Sequence, residues 1–305
     1  MVSPAGIRWT PAQEQPLITA TPEDRQFDSP LSAFWDQRQN CYRIYVRGWQ
    51  PDDPDNRIRA IRCSTSQDFL HWTPWRYIHI SGQEQWSEHL YTNAAHPYYR
   101  APYYLMFPKR YVPQRTFNAS WQHPGQSDVL FLASRDGQHW SRPFREAFLR
   151  PGHDPDNWHE RSIFIGPGAV PTAAGELSLY SIQKYHTERV CIRRLSLRED
   201  GFISINAPFT GGSMTTKPLT FSGHALKINY ATSAAGSVHV EILDPDGRAL
   251  LGYKADECNE IFGDELDRQV TWNAGHTLAD LAGKPVRLRF ILEDADLFSF
   301  RFIGE

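Results

Sequence analysis

Apolar and polar positions alternate with a period of two along much of the chain, as in Tyr42-Arg-Ile-Tyr-Val-Arg-Gly-Trp49, Arg57-Ile-Arg-Ala-Ile-Arg-Cys63 and Val286-Arg-Leu-Arg-Phe290. That period sends successive side chains to opposite faces, so each run predicts a strand with one buried face. No long helical period interrupts the first two hundred residues. The pattern predicts an all-β chain.

The strands are punctuated by a recurring turn. Ser66-Gln-Asp68-Phe69-Leu70-His71-Trp72 and Ser134-Arg-Asp136-Gly137-Gln-His-Trp140 share Ser, Asp and Trp at the same offsets. Ser3-Pro-Ala5-Gly6-Ile-Arg-Trp9 keeps Ser and Trp, and Arg198-Glu-Asp200-Gly201 keeps only the Asp-Gly turn. Counted at the Asp position, the intervals are 63, 68 and 64 residues. Such spacing predicts an array of similar units. Where a copy keeps its Asp, the carboxylate accepts hydrogen bonds from amides just downstream, and where it keeps its Trp, the indole packs on the neighbouring sheet.

Between these turns three units repeat one plan. The first takes an inner strand over 27–35, then 42–49 and 57–63, with Gln50-Pro-Asp-Asp-Pro-Asp-Asn56 as an exposed acidic loop. The second takes 90–98, 103–108 and 128–133, with a loop from Lys109 to Gln126 long enough to cover a ligand site. The third runs from 162–168 through 176–180 and 189–195. Residues 3–18 hold the first turn without the three strands that precede its later copies, so the array reads as an incomplete ring. After Ile205 seven short strands, at 219–221, 225–230, 237–242, 249–253, 269–272, 285–292 and 297–302, predict an antiparallel β-sandwich. The expected domains are therefore 1–205 and 206–305.

Composition narrows the partners. Aromatic residues are 13% of the 305, with ten Trp, a richness that suits β architecture and contact with sugar rings. A net charge of -3 gives no basic face for nucleic acid. No run of about 18 apolar residues spans a membrane. The start of the chain has no basic and apolar leader, which makes a cytoplasmic location the default expectation. The four cysteines lack metal-ligand spacing and read as free thiols. Gly166-Pro-Gly168 precedes an apolar strand instead of a helix, there is no phosphate loop or Gly-x-Ser-x-Gly elbow, and nothing implies a metal or another cofactor.

The Ser-x-Asp-Phe-x-x-Trp form at Ser66 to Trp72 resembles the turn that recurs in the five-bladed β-propeller glycoside hydrolases, the arabinanase and invertase-like superfamily (families 43 and 32). The resemblance covers residues 3–205 through the repeat, and a C-terminal sandwich after a propeller is similar to the invertase-like members. It implies a partial propeller of four-stranded blades and a glycosidase that cleaves an oligo- or polysaccharide with paired carboxylates from inner strands. Such chemistry needs two carboxyl groups about 5 to 9.5 Å apart across the sugar. The candidates are Asp28, which opens the first inner strand, Glu160 in Trp158-His159-Glu160-Arg161, and Glu88 at the comparable place in Trp86-Ser87-Glu88-His89. Trp86, His96, Arg110, Trp158 and Arg161 supply flat faces and forked donors for binding a sugar. Each of these residues also has an ordinary reading as a turn, surface-pair or packing residue. A carbohydrate-binding propeller without catalysis, or a fragment of a longer hydrolase, accounts for the same sequence. The sugar, its linkage and the oligomeric state are not encoded in any motif.

Overall fold

The computed structural model describes residues 3–11, 13–19, 30–50, 57–82, 88–273 and 275–304. The chain is all-β, strands joined by turns with only two short 3-10 turns of helix among the described residues. It folds as two compact units, Met1–Val170 with Ser178–Leu195, and Pro171–Leu177 with Ser196–Glu305. The second unit thus begins ten residues earlier than residue 206, and the hairpin segment 171–177 also belongs to it.

The first unit is built from blades that are mainly antiparallel, with His79–Ile80 pairing parallel to His139–Trp140. Strands β1 (Ser32–Asp36), β2 (Cys41–Gln50), β3 (Ile58–Ser66) and β4 (Arg76–Tyr77) form one four-stranded sheet in chain order. The next blade is broken into pieces along its length. Strands β5 (His79–Ile80), β7 (His96–Pro97), β8 (Tyr104–Met106), β11 (Leu132–Ser134) and β12 (His139–Ser141) make one sheet, and β6 (His89–Leu90), β9 (Lys109–Val112) and β10 (Gln126–Val129) make another. Backbone hydrogen bonds from Tyr91 to Lys109 and from Phe107 to Asn93 carry the pairing across the gap. The expected inner strand over 90–98 is therefore a chain segment that pairs at its ends and turns between them, with Ala94 at φ 46°. A fourth sheet joins β13 (Ile163–Ile165), β14 (Val170–Ala173), β15 (Glu176–Gln183) and β16 (Cys191–Arg198), of which 171–173, 176–177 and 196–198 are counted in the second unit.

Apolar faces of the first two blades share one core, with Tyr45, Ile61, Leu90, Tyr104, Met106, Leu132 and Trp140 all buried. The turn repeat is built as its residues require. Asp68 accepts from the amides of Leu70 and His71 at 2.8 Å, and Asp136 from those of Gln138 and His139 at 2.8 and 2.7 Å. In both, the histidine three residues on closes on the other carboxylate oxygen at 2.7 Å. The indoles of Trp9, Trp72 and Trp140 each donate to the carbonyl three residues back. Their burial differs: Trp140 is 1% exposed, Trp72 is half-buried, and Trp9 is 55% exposed. The expectation that every indole packs on a sheet fails at Trp9, because the chain around it forms turns and bends with no strand of its own.

The second unit is one five-stranded sheet of β17 (Ile205–Ala207), β18 (Gly212–Thr215), β19 (Ala225–Leu243), β20 (Asp264–Gln269) and β21 (Arg287–Ile303). Two pairs of expected strands are each one long strand. Residues 225–230 and 237–242 both lie in β19, and 285–292 and 297–302 fall largely in β21. The register of β19 on β21 jumps between Thr232 and Ser237, which bends the strands without ending them. Val238, Val240 and Ile242 from one arm and Leu226, Ile228 and Tyr230 from the other feed a single core. Of the remaining expected strands, 219–221 and 249–253 contribute only isolated bridges at Leu219 and Ala249.

Candidate functional site

Strand β9 divides two chemical environments. Lys109 and Arg110 are neighbours in an extended chain, so their side chains leave opposite faces.

On one face Lys109 is buried, its Nζ 4.4 Å from the centre of the Tyr91 ring and 5.1 Å from that of Phe164. It has no ion pair among the described residues. Burial lowers its pKa to about 7, helped by the charges of Arg161, Arg59 and Arg47 and opposed by Glu160. Arg47 and Arg59 stand over the same Tyr91 ring at 5.3 and 4.7 Å.

Glu160 belongs to this environment. It precedes β13 in a tight turn, held by a Ser162 amide bond back to the His159 carbonyl, which also accepts from the Ser127 and Ser162 hydroxyls at 3.2 and 3.1 Å. The turn leaves the Glu160 side chain 9% exposed. Its Oε2 accepts from the Trp121 indole at 2.6 Å and faces His159 Nδ1 at 3.3 Å, while Arg161 Nε lies 3.4 Å from Oε1. Trp121 comes from the loop that follows β9 and stacks on His159 with ring centres 4.0 Å apart. The long loop thus covers this carboxylate. Burial pulls the His159 pKa down, which favours the neutral ring, and its Nε2 has no hydrogen-bond partner among the described residues.

On the other face Arg110 is committed to Asp128 by a forked pair, Nε to Oδ1 at 2.9 Å and Nη2 to Oδ2 at 2.5 Å. Its remaining nitrogen approaches Glu88 at 3.4 Å, and Arg142 closes on the other Glu88 oxygen. Burial alone would raise the Glu88 pKa, but the bonds from Arg142 and Arg110 hold it below the usual carboxylate range. Glu88, Arg110, Tyr111, Gln126, Ser127 and Trp158 all line an open cleft of about 1170 Å³. Tyr111 also feels the Glu160 charge and Ser127 bonds the His159 carbonyl, so this cleft adjoins the Glu160 turn.

The expected site residues are distributed accordingly. Glu160 and Arg161 come together beside Lys109, whereas Glu88 and Arg110 sit together on the opposite face of β9. Trp158 donates to the Gly152 carbonyl at 2.8 Å and stacks on Phe117. His96 is buried against Phe107, its Nδ1 accepting from the Gly168 amide at 3.3 Å, and burial lowers its pKa to about 4. Asp28, Trp86 and most of the acidic loop at 50–56 lie outside the described residues. The sequence reading missed Lys109, Trp121 and Tyr91. Lys109 left one signal, as the first of two cations, Lys109-Arg110, that end the apolar run Tyr103-Tyr-Leu-Met-Phe-Pro108.

Among the described residues no group of three or more His, Cys, Asp or Glu is placed to hold a metal ion. In the segment 153–160, Asp154 caps a 3-10 turn and pairs with Lys184 Nζ at 2.6 Å, and Asp156 pairs with Arg189 at 2.9 Å. No described helix is long and apolar enough to cross a membrane.

No family model matches the chain, and no curated protein does. Solved structures do. One described as a glycoside hydrolase is 15% identical with a TM-score of 0.40, over 60% of this chain and 51% of its own length. An N-acetylgalactosamine deacetylase from F. plautii, in complex with blood group B trisaccharide, is 11% identical with a TM-score of 0.35, over 90% of this chain and 51% of its own. A family 43 arabinoxylan arabinofuranohydrolase from Bacillus subtilis, in complex with cellotetraose, is 12% identical with a TM-score of 0.35, over 99% of this chain and 73% of its own. The chain spans about half the length of the first two. The site is read from its own geometry.

Proposed function

We propose that this protein acts on a glycan by paired-carboxylate chemistry, with Glu160 one member of the pair and Asp28 the other. The observation that carries this reading is the setting of Glu160. A nearly buried carboxylate at the head of an inner strand is covered by a loop tryptophan, faces a buried lysine and adjoins an aromatic-walled cleft. Glycosidic cleavage asks for such a carboxyl group in a site that excludes water, beside flat surfaces that seat the sugar.

In this reading Trp158 and Tyr111 are sugar platforms and Arg161 positions Glu160. Lys109 sets the local charge, and Glu88 holds Arg110 and Arg142 in the cleft wall. A second reading, binding without cleavage, is favoured by one contact: the Trp121 indole already occupies a Glu160 oxygen.

The test is hydrolysis of a panel of aryl glycosides and natural oligosaccharides by the intact chain and by Glu160→Gln. Loss of general acid–base catalysis lowers the rate by about 10² to 10⁴. Hydrolysis that survives the substitution removes Glu160 from the chemistry. Binding with no hydrolysis of any substrate establishes the second reading.

A further inference from the structure

The charges around the cleft are unevenly answered. Four arginines line it, Arg57, Arg110, Arg115 and Arg150, against three carboxylates, Glu88, Asp128 and Glu146. Asp128 is taken by Arg110, and Glu88 by Arg110 and Arg142. Arg57, Arg115 and Arg150 make no ion pair among the described residues, and all three are exposed. Among the described lining residues, three guanidinium groups without an ion pair therefore share the cleft with a single carboxylate not already paired, Glu146.

The cleft wall also carries groups that fit a sugar ring. Tyr111 and Trp158 supply flat faces. The side-chain oxygen of Gln126 is buried in the same wall and has no hydrogen-bond partner among the described residues. A buried amide oxygen left unpaired costs free energy that a ligand hydroxyl would recover. The volume of about 1170 Å³ is ample for an oligosaccharide of several units.

We infer that this cleft binds an anionic saccharide, one carrying carboxylate or sulfate groups that Arg57, Arg115 and Arg150 grip while Gln126 accepts a sugar hydroxyl. The inference names the substrate class for the site proposed above and rests on that reading for its catalytic meaning. The planar fork of arginine matches carboxylate and sulfate oxygens pairwise, and the grip weakens as salt screens it.

Calorimetric titration of the Glu160→Gln chain separates binding from turnover. A tetragalacturonate and its fully methyl-esterified form have the same rings and differ in charge. Likewise a sulfated carrageenan oligosaccharide and its desulfated counterpart differ only in sulfate. The charged member of at least one pair is expected to bind about tenfold or more tighter, with the preference shrinking in 0.5 M salt. Which pair shows the preference identifies the anion. The triple variant Arg57→Gln, Arg115→Gln, Arg150→Gln keeps the thermal midpoint, because all three side chains are exposed, and erases the preference.

Equal binding within both pairs, or a preference that survives the triple substitution, overturns the inference. The two proposals fail separately. Hydrolysis of neutral glycans with no effect of charge leaves the catalytic reading and removes this one; charge-dependent binding with no hydrolysis does the reverse.

Discussion

Glu88 and Glu160 look alike in sequence. Each follows a tryptophan two residues back and each leads into an inner strand. Their surroundings separate them. Glu88 is gripped by two guanidinium groups, while Glu160 meets an indole N–H, a histidine and one arginine. Arg142, with a side chain only 6% exposed, depends on Glu88 to balance its charge. In the reading proposed above, the carboxylate held by two guanidinium groups serves structure and the one held mostly by neutral donors serves the chemistry. What distinguishes them is the company supplied by distant parts of the chain.

The largest effect expected on stability follows from that contrast. Glu88→Gln strands the nearly buried Arg142, a loss of about 2 to 3 kcal/mol, since removing one partner of a half-buried pair leaves the other poorly compensated. Urea unfolding of Glu88→Gln against Glu160→Gln reads the difference. A smaller loss in Glu88→Gln than in Glu160→Gln breaks the comparison.

Lys109 sharpens the description of the Glu160 side. Its folded pKa of about 7 lies below the unfolded value near 10.4. Between those values the unfolded chain binds more protons, so stability rises with pH across the window, and the burial cost is fully present below about pH 7. Lys109→Met removes that cost. The variant is expected to exceed the parent by on the order of 2 kcal/mol at pH 6, with the gap closing towards pH 10; thermal melts at both values check it.

The turns give two finer contrasts. Gly137 sits at φ 75°, and a Cβ there would meet the Tyr45 hydroxyl oxygen at 2.7 Å and the Arg43 guanidinium at 2.9 Å. Phe69 occupies the equivalent place at φ 67° and meets Tyr42 and Trp72 edge to face. Gly137→Ala is expected to cost about 2 kcal/mol in chemical denaturation, from left-handed strain and overlap; a neutral result would show that the Tyr45 wall yields.

The smallest effect is at Asp136. Burial would raise its pKa, but bonds from His139, Gln138 and Ser134 hold it well below the usual range. Its contribution is present above about pH 4 and is lost as the pH falls towards the folded value. Asp136→Asn should cost about 1 kcal/mol at pH 7 and clearly less at pH 2, the side chain being half exposed and screened. An equal loss at both pH values would rule out the carboxylate as the cause.

Much of the fold was legible because its signals are local. The alternation at 42–49 and 57–63 found β2 and β3, and the Ser-x-Asp-x-x-x-Trp spacing found turns whose hydrogen bonds all lie within a few residues. The shared histidine at His71 and His139 stood in both copies and went unread, although it completes each turn. The sequence reading placed two separate strands at 225–230 and 237–242, on either side of Ser233-Ala-Ala-Gly236. In fact a Cβ at Gly236 would stand 2.4 Å from the Asp294 carbonyl, so the glycine lets one bent strand press on its neighbour. The candidate site was legible only in part. Glu160 could be named, but its hydrogen-bond partner Trp121 and the nearby charge of Lys109 lie 39 and 51 residues away in sequence. Nothing local marked Glu88 as the one that cations would claim.

The most direct test of this division of labour is kcat/KM for Glu160→Gln and Glu88→Gln on one hydrolysed glycan, each normalised to folded protein. The expected result is a fall of about 10² or more for Glu160→Gln and a change within about threefold for Glu88→Gln. Equal falls, or the larger fall at Glu88, would contradict the assignment of chemistry to one glutamate and architecture to the other.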